Sequence, residues 1–319
     1  MAGIMPEVDS DVSDLESVNS ELTSLASSVF NYVYENGRTY HAYRQGSYVL
    51  PNDEKEQERL DLLHHVFRLS LDGRLCMTNL KSPQKMLDIG TGTGIWAMEV
   101  ADEFPSAEVT GVDLSPIQPG WVPPNVSFII DDVEQDWSFP NDSFDFIHVR
   151  CLAGSLRNWP QFLKECYDHL KPGGKIELAE CRTHMDCDDS SYPEDCYTRK
   201  WIAEFNRISH KNGLIFDLFP EYQGMLKEAT FENINVVEQV CPIGTWPKDR
   251  RLKDIGRYFR LQFLEGAVDS YSMALFTRLG GWSKEEVEVL LAHVRTEIKE
   301  NKMHVYTHCS FATAQKPLK

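Results

Sequence analysis

The most constraining feature of this sequence is a glycine-rich turn between a strand-like and a helix-like segment. Gly90, Gly92 and Gly94 alternate with threonines after residues 86–89, and residues 95–104 follow with helical spacing. Glycine permits positive φ angles and a close approach of the backbone to a ligand, and the first amides of a following helix suit an anionic group. The turn therefore predicts a ligand of the nucleotide type at the end of a buried strand.

The spacing of the glycines narrows the class of ligand. The dinucleotide pattern G-x-G-x-x-G is not met, because Ile95 occupies its last position. An acid two residues before the first glycine is the form that S-adenosylmethionine sites take, where it can accept a hydrogen bond from the ammonium end of the methionine moiety. We therefore expect S-adenosylmethionine as the co-substrate, in contact with Asp88, Gly90, Thr91, Gly92 and Gly94.

Strand-length apolar segments alternate with helical segments around this turn. Strands are predicted at 86–89, 108–113, 126–131, 144–149 and 175–180, and helices at 95–104 and 159–170. This alternation predicts a doubly wound parallel α/β sheet that binds ligands at the carboxyl ends of its strands. Later strands at 233–240 and 304–313 would complete a seven-stranded, mostly parallel, Rossmann-like sheet.

Acidic residues after the next two strands extend the cofactor hypothesis. Asp113 ends the second strand 19 residues after the last glycine, and an acid there can accept both ribose hydroxyls. After the third strand we expect Asp132 to accept from the adenine amine and Val133 to pack on the ring, although the adjacent Asp131 leaves the assignment open. A helix cap or turn is the alternative for Asp113, and a solvated turn for Asp132. Leu114 completes this part of the predicted site.

Two later segments resemble known motifs. Residues 143–150 read Ser-Phe-Asp-Phe-Ile-His-Val-Arg, and residues 170–175 read Leu-Lys-Pro-Gly-Gly-Lys. In order and spacing they resemble the later motifs of class I S-adenosylmethionine-dependent methyltransferases, and the whole resemblance covers roughly residues 85–180. It implies that Val149 and Arg150 lie at the cofactor. A role in orienting an acidic substrate, or a pair with another acid, is the alternative for Arg150.

Methyl transfer from a sulfonium needs mainly orientation and the exclusion of water, and it needs a base only where the nucleophile carries a proton. His148 lies near the carboxyl end of the fourth strand, and Glu180 ends the fifth. We therefore predict His148 and Glu180 as candidate catalytic residues. A structural histidine is the alternative for His148, and His64 and His65 are further candidates on a helix before the core.

A second resemblance extends over nearly the whole chain from residue 30 onward. The segments that carry it are 35–40, 48–54, 59–65, 148–150, 244–247 and 281–283. They resemble the LaeA-like methyltransferases of filamentous fungi. The resemblance implies a role in secondary metabolism, either as an enzyme that methylates O, N or S of a small-molecule acceptor, or as a nuclear regulator that acts through protein partners, as one member does with velvet proteins.

The charge of the chain argues against two classes of partner. It has 32 Lys and Arg against 49 Asp and Glu, a formal net charge of −17, and it has no basic run to meet nucleic acid or an anionic membrane. Residues 151–154 also stand where nucleic-acid amine methyltransferases carry an Asn/Asp-Pro-Pro-aromatic run. We therefore expect no nucleic-acid or membrane partner. Residues 1–10 hold no basic or apolar signal region and no apolar run approaches about 18 residues, so we expect a cytoplasmic or nuclear location.

No metal-binding motif is apparent in the sequence. The eight cysteines form no CxxC pair, and the acids around the fourth strand do not suggest a divalent-metal site, so we predict no metal. The predicted domains are a disordered acidic tail at 1–28, a helical cap at 29–82, and a methyltransferase domain at 83–319 with helical insertions at about 184–230 and 246–300.

Further elements are predicted outside the core alternation. A short helix is expected around 22–34 and irregular structure at 35–48. A helix at 54–75 would be capped by Asn52 or Asp53, since both side chains can accept from the first helical amides. Residues 186–211 are expected to be acidic and then helical, and residues 254–279 mostly helical. Further helices are predicted at 225–230 and at 283–300, the last capped by Ser283.

Overall fold

The computed structural model describes residues 32–41 and 49–318. In these ranges, β1 (Val33–Glu35) and β2 (Arg38–Tyr40) form a hairpin, and the sheet contains β3 (Lys85–Ile89), β4 (Glu108–Asp113), β5 (Val126–Ile130), β6 (Phe144–Arg150), β7 (Leu170–Cys181), β8 (Glu232–Pro242) and β9 (Tyr306–Gln315). The helices are α1 (Glu54–Ser70), α2 (Ile95–Glu103), α3 (Trp159–His169), α4 (Tyr197–Lys211), α5 (Tyr222–Glu228), α6 (Arg250–Gln262), α7 (Val268–Ser270) and α8 (Lys284–Glu300).

The seven strands of the sheet lie in the order β5-β4-β3-β6-β7-β9-β8. Within this sheet β9 alone runs antiparallel to the other strands, since it pairs antiparallel with β7 and β8 while the remaining pairs are parallel. The strand order reverses between β3 and β6, which is where a doubly wound sheet opens a crevice for ligands. The predicted seven-stranded, mostly parallel α/β sheet is therefore confirmed.

Helices cover both faces of the sheet because alternate strand residues point to opposite sides. Met86 packs with Trp96 of α2, whereas Leu87 packs in a separate cluster with Phe162 of α3 and Leu226 of α5. A third cluster joins α1, α4, α6 and α8 to β9. These four helices form a cover beside the carboxyl edge of the sheet, and none of the described helices is long and apolar enough to cross a membrane.

The helix caps follow the sequence closely. Asp53 rather than Asn52 caps α1, because its Oδ1 accepts from the backbone amide of Glu56 at 3.1 Å. Ser283 caps α8 in a capping box with Glu286, as predicted. Such reciprocal bonds satisfy amides that the helix itself leaves without partners.

Several predicted elements are wrong in kind or extent. Residues 33–40 form the β1–β2 hairpin rather than a helix end and irregular chain, because Asn36 and Gly37 adopt φ angles of +53° and +82° in a tight turn. The helix predicted at 54–75 ends at Ser70, whereas the segment 186–211 becomes helical at Tyr197, in agreement with the expectation of an acidic stretch followed by helix. The segment 254–279 is mostly helical, as predicted, and it includes two π-helical stretches, at Phe263–Ala267 and Leu275–Leu279.

The predicted tail at 1–28 lies outside the described residues. The predicted cap at 29–82 contains the hairpin and α1, and the predicted insertions contain α4 and α5 in the first and α6 to α8 in the second. The domain limits themselves stay predictions.

Candidate active site

The glycine turn after β3 adopts the conformation that its sequence predicts. Gly90, Gly92 and Gly94 have φ angles of +68°, +57° and +79°, in the left-handed region that glycine enters without strain. Two of these positions also lack room for a side chain. A Cβ at Gly90 would lie 2.9 Å from Leu152 Cδ2, and one at Gly94 would lie 2.3 Å from Phe128 Cζ. Conformation and packing together therefore require glycine here.

The carboxylate of Asp88 stabilises this turn through hydrogen bonds. Its Oδ2 accepts from Thr91 Oγ1 at 2.6 Å, and its Oδ1 lies 2.7 Å from His148 Nδ1. The His148 ring stacks on Trp96 with 3.7 Å between centroids and 7° between planes. Asp88 and His148 are each 2% exposed, and a buried carboxylate needs such donors. This network fixes the position of the turn.

A cleft opens at the carboxyl edge of the sheet, with about 1,190 Å³ of space that includes open solvent, and we call it the polar cleft. It is lined by these predicted cofactor residues: Gly90, Gly92, Asp113, Leu114, Asp132, Val133 and Arg150. The start of α1 and the loop after β6 supply further walls, including Glu56, Arg59, Leu60 and Leu152. The structure thus brings together residues that the sequence places on four different strands.

Six predicted site residues do not line the polar cleft, and one of them, Glu180, borders a smaller space described below. Asp88 and Thr91 bond to each other behind the turn, Gly94 packs against an aromatic ring, and Val149 is 1% exposed in the core. His148, predicted as a base, is paired with Asp88 away from the cleft. Direct contact of these residues with the cofactor or the acceptor stays a prediction.

Asp113 joins the glycine turn to the loop after β4. Its Oδ2 accepts from the Gly92 amide at 2.8 Å, and its Oδ1 accepts from the Ser115 amide at 2.9 Å. Burial raises the pKa of Asp113, and these backbone hydrogen bonds oppose that rise. Both oxygens are therefore held in place at the wall of the polar cleft.

Asp132 is the buried member of the acid pair after β5. It is 7% exposed, and its Oδ1 accepts from the Glu134 amide at 3.0 Å. Asp131 Oδ1 accepts from the Asp132 amide at 2.8 Å. Both acids and Val133 line the polar cleft, so the structure gathers the predicted adenine residues, while the choice between the two acids stays a prediction.

Arg150 presents a partly buried cation to the polar cleft. Its Nη1 lies 3.0 Å from His64 Nδ1, and its Cζ lies 5.4 Å from the centroid of the Phe67 ring. Arginine only donates, so His64 Nδ1 accepts, and the other ring nitrogen donates to Glu99 Oε2 at 3.0 Å. Burial, together with the charge of Arg150, lowers the pKa of His64 to about 2. His64 therefore stays neutral and is unsuited to the role of base.

A second cavity lies beside the polar cleft. We call it the aromatic cavity because its walls are largely apolar rings and chains: Leu63, Met185, Trp201, Ile202, Phe205, Ile243, Phe259 and Phe263. Arg59 and Tyr271 line both cavities. A smaller space next to Glu180 also has Tyr271 in its wall, so the three spaces adjoin one another.

The wall between the two cavities contains a buried ion pair. Arg59 Nη2 lies 2.7 Å from Glu56 Oε1, with side chains 3% and 2% exposed. Ser270 Oγ also donates to Glu56, and Arg59 Cζ lies 5.6 Å from the Tyr271 ring centroid. A Cβ at Gly266 would lie 2.8 Å from Arg59 Cβ, so glycine there allows α1 to approach the segment after α6. The ion pair is thereby fixed at the border between the cavities.

Glu180 ends β7 beneath the loop that follows β6. Its Oε1 accepts from the amides of Leu152 and Ala153 at 3.0 and 2.9 Å and from Tyr222 Oη at 2.9 Å. Burial raises the pKa of Glu180 to about 7, although these hydrogen bonds act against the rise. A carboxyl group with this pKa can exchange a proton near neutral pH, so the predicted catalytic role of Glu180 stays open to test.

We expect Glu180→Gln to change how stability depends on pH. The pKa of about 7 in the folded protein exceeds the usual 4.5, so the folded protein binds the extra proton between these values, and wild-type stability falls as the pH rises through them. The variant lacks this dependence. Its unfolding free energy relative to wild type should rise by about 2 to 3 kcal/mol between pH 5 and pH 8. Urea unfolding measures the change, and a difference that does not vary with pH would contradict the raised pKa.

Glu56, Arg59 and Tyr271 were not predicted as site residues. Glu56 and Arg59 are spaced three apart and continue the buried face of α1 that carries Leu63 and Phe67. An opposite-charge pair on an otherwise apolar helix face was therefore the available signal. Tyr271 gave no such signal, because it lies directly after the short α7 and not within a long regular helix.

The strand order, the glycine turn and the polar cleft together are those of the class I S-adenosylmethionine-dependent methyltransferases. A family model described as a methyltransferase domain matches residues 62–236. A solved structure of Haemonchus contortus phosphoethanolamine N-methyltransferase 2 in complex with S-adenosyl-L-methionine has a TM-score of 0.50 and 16% identity, over 96% of this chain and 76% of that chain. That likeness supports the fold.

Closer relatives identify the family. Methyltransferase pytC of Aspergillus terreus is 44% identical over 98% of this chain and 96% of its own length. The secondary metabolism regulator LAE1 of Cochliobolus heterostrophus is 37% identical over 90% and 95%, and the protein-methionine methyltransferase laeA of Emericella nidulans is 34% identical over 89% and 76%. The chain belongs to the LaeA-like family of S-adenosylmethionine-dependent methyltransferases, which includes proteins of fungal secondary metabolism.

Proposed function

We propose that this enzyme methylates O, N or S of a small-molecule acceptor in fungal secondary metabolism. The observation that carries the proposal is the aromatic cavity, which adjoins the polar cleft at Arg59 and Tyr271. Its mostly apolar walls, with a few polar groups among them, suit a small organic ligand. A cofactor in the cleft and an acceptor in the cavity would meet at this shared border.

The polar cleft offers a partner for each part of the cofactor. We assign the ribose hydroxyls to Asp113, the adenine to Asp132 and Val133, and the methionine carboxylate to Arg150, all of which line the cleft. The last assignment follows from charge. Among the described residues, Arg150 donates to the neutral His64, so a carboxylate from the cofactor would compensate a partly buried cation.

The chain mainly orients the reactants and excludes water. The cofactor supplies a methyl group made electrophilic by its sulfonium, which passes to the acceptor as the carbon–sulfur bond breaks. Where the attacking atom carries a proton, Glu180 is the proposed acceptor of that proton, because a pKa of about 7 leaves part of its population ionised at neutral pH. Asp88 and His148 are proposed to position the glycine turn.

A second function has support from the names of relatives. The family includes proteins named as regulators of secondary metabolism and one named as a protein-methionine methyltransferase. On this alternative the chain acts in the nucleus through protein partners, whereas an enzyme of small-molecule biosynthesis would act in the cytoplasm. The acceptor then is a protein side chain, and the aromatic cavity is not its site.

Isotope labelling separates these two functions. We expect the purified protein, given methyl-deuterated S-adenosylmethionine and an extract of the producing fungus, to transfer label to the small-molecule fraction. Label confined to the protein fraction would overturn the small-molecule proposal and favour the alternative.

A variant that fills the aromatic cavity tests the site of the acceptor. Ala267 is 5% exposed in the cavity wall, so the larger side chain of Ala267→Trp should fill the cavity and abolish labelling. The variant should still bind S-adenosylhomocysteine, and that binding shows that the polar cleft is folded. Ala203→Trp, on the exposed face of α4, is the matched control and should label normally. Full labelling by Ala267→Trp would exclude the aromatic cavity as the acceptor site.

A further inference from the structure

Two histidines and an aspartate cluster outside the polar cleft. His184 Nε2 lies 3.2 Å from His308 Nδ1 and 3.0 Å from Asp186 Oδ2. One ligand atom from each of the three side chains lies within 4.8 Å of the other two. We propose that His184, Asp186 and His308 bind one divalent transition-metal ion, with Zn²⁺ as the best match.

The donor set and its spacing fit such an ion. Imidazole nitrogen and carboxylate oxygen are preferred zinc ligands, and catalytic zinc sites often combine three protein ligands with one open position. Bonds of about 2.0 Å in a tetrahedral arrangement put neighbouring ligand atoms about 3.3 Å apart. The separations of 3.2 and 3.0 Å around His184 Nε2 are close to this value.

The backbone holds the three ligands in place. The chain from Arg182 to Asp186 runs beside the start of β9, where the Arg182 amide donates to His308 O at 3.0 Å. Asp186 and Tyr306 exchange two backbone hydrogen bonds of 2.8 and 3.0 Å. Because both segments are tied by these bonds, little rearrangement is needed to assemble the ligands, which favours metal binding.

The surrounding charges also favour a cation. His184 Nδ1 lies 3.5 Å from Asp217 Oδ2, the kind of carboxylate that orients a metal-bound histidine. Arg182 pairs with Asp217 at 2.9 Å and with Glu238 at 2.6 Å. The net charge of these four side chains is therefore −2, from the three carboxylates of Asp186, Asp217 and Glu238 and the one guanidinium of Arg182. One divalent ion would neutralise it.

The position of the cluster suggests what the ion would contact. His184 and the neighbouring Thr307 line the aromatic cavity. An open coordination position there could take an oxygen or nitrogen atom of a small molecule in that cavity. The metal site goes beyond the proposed methyl transfer, because the ion binds to this chain's own residues whether or not a methyl acceptor is present.

Metal binding to the untagged, full-length protein tests the proposal. After treatment with EDTA and without cofactor, equilibrium dialysis against Zn²⁺ should give one ion per chain. His184→Ala and His308→Ala should each weaken binding by at least about 100-fold. His304→Ala is the matched control, since His304 Nδ1 pairs with Asp189 at 2.6 Å outside the proposed ligand set, and it should bind as wild type does.

A milder variant separates loss of ligand from loss of fold. Asp186→Asn preserves the shape of the side chain but removes its charge, so it should bind Zn²⁺ more weakly while melting at the wild-type temperature in EDTA. Zinc should raise the melting temperature of wild type and of His304→Ala, but not of the ligand variants. Absence of saturable binding by wild type, or equal zinc affinity in wild type and Asp186→Asn, would overturn the site.

Discussion

Asp113→Ala is expected to lower the affinity for S-adenosylmethionine and S-adenosylhomocysteine by about 100-fold or more. The Asp113 carboxylate holds the amides of Gly92 and Ser115 at 2.8 and 2.9 Å, and it is the proposed acceptor for the ribose hydroxyls. A hydrogen bond to a charged group contributes about 1.5 to 3 kcal/mol, so two lost ribose bonds amount to at least about 3 kcal/mol, or roughly 100-fold in Kd.

Isothermal titration with S-adenosylhomocysteine measures this loss. Glu108→Ala is the matched control, because Glu108 begins the strand that Asp113 ends, and its side chain is 72% exposed. The control should bind with wild-type affinity. Wild-type affinity in Asp113→Ala, with an unchanged circular dichroism spectrum, would exclude Asp113 from the ribose site.

Arg59→Ala is expected to reduce the free energy of unfolding by about 3 to 5 kcal/mol. Removing the guanidinium leaves Glu56 as an uncompensated charge at a site where both side chains are at most 3% exposed. The double variant Glu56→Gln/Arg59→Met leaves neither charge and should recover most of the loss, because the cost arises mainly from the unpaired carboxylate.

An exposed pair with the same spacing provides the control. Glu204 and Arg207 are also three residues apart on a helix, but their side chains are 21% and 54% exposed. Arg207→Ala should therefore change stability by no more than about 0.5 kcal/mol. Urea unfolding compares the variants, and losses of equal size for Arg59→Ala and Arg207→Ala would contradict the buried ion pair.

The regular part of the fold could be predicted because local pattern and global topology agree there. β3, β4 and β6 are short apolar segments, with a helix between β3 and β4 and another between β6 and β7, and such a pattern fits a parallel sheet. The β1–β2 hairpin escaped prediction although its turn pair Asn36-Gly37 is a recognised hairpin signal. Its strands are three residues long, too short for an alternating pattern to stand out.

The candidate site could be predicted in location more than in detail. The carboxyl ends of the strands gather Asp113, Asp132 and Arg150 at one cleft, as the α/β topology requires. Asp88 was predicted at the cofactor and His148 as a candidate base, with a structural histidine as the alternative, and the structure shows the two side chains bonded to each other across 60 residues of sequence. The sequence near each residue does not show that the two side chains will form a hydrogen bond to each other beside the glycine turn.

Contacts between distant segments explain the other omissions. His184 and His308 are separated by 124 residues, so no spacing rule for metal ligands detects them. Glu56 and Arg59 were visible as a pair, but their burial depends on the approach of the segment that contains Gly266. These features emerge only once the cover helices are packed beside the sheet.

A crystal structure of the protein with S-adenosylhomocysteine tests the central claim most directly. It should show the ribose on Asp113, the adenine against Val133, the carboxylate on Arg150, and the sulfur facing the border with the aromatic cavity at Arg59 and Tyr271. An adenosyl group bound outside the polar cleft, or a sulfur atom directed away from that border, would contradict the proposed paths of cofactor and acceptor.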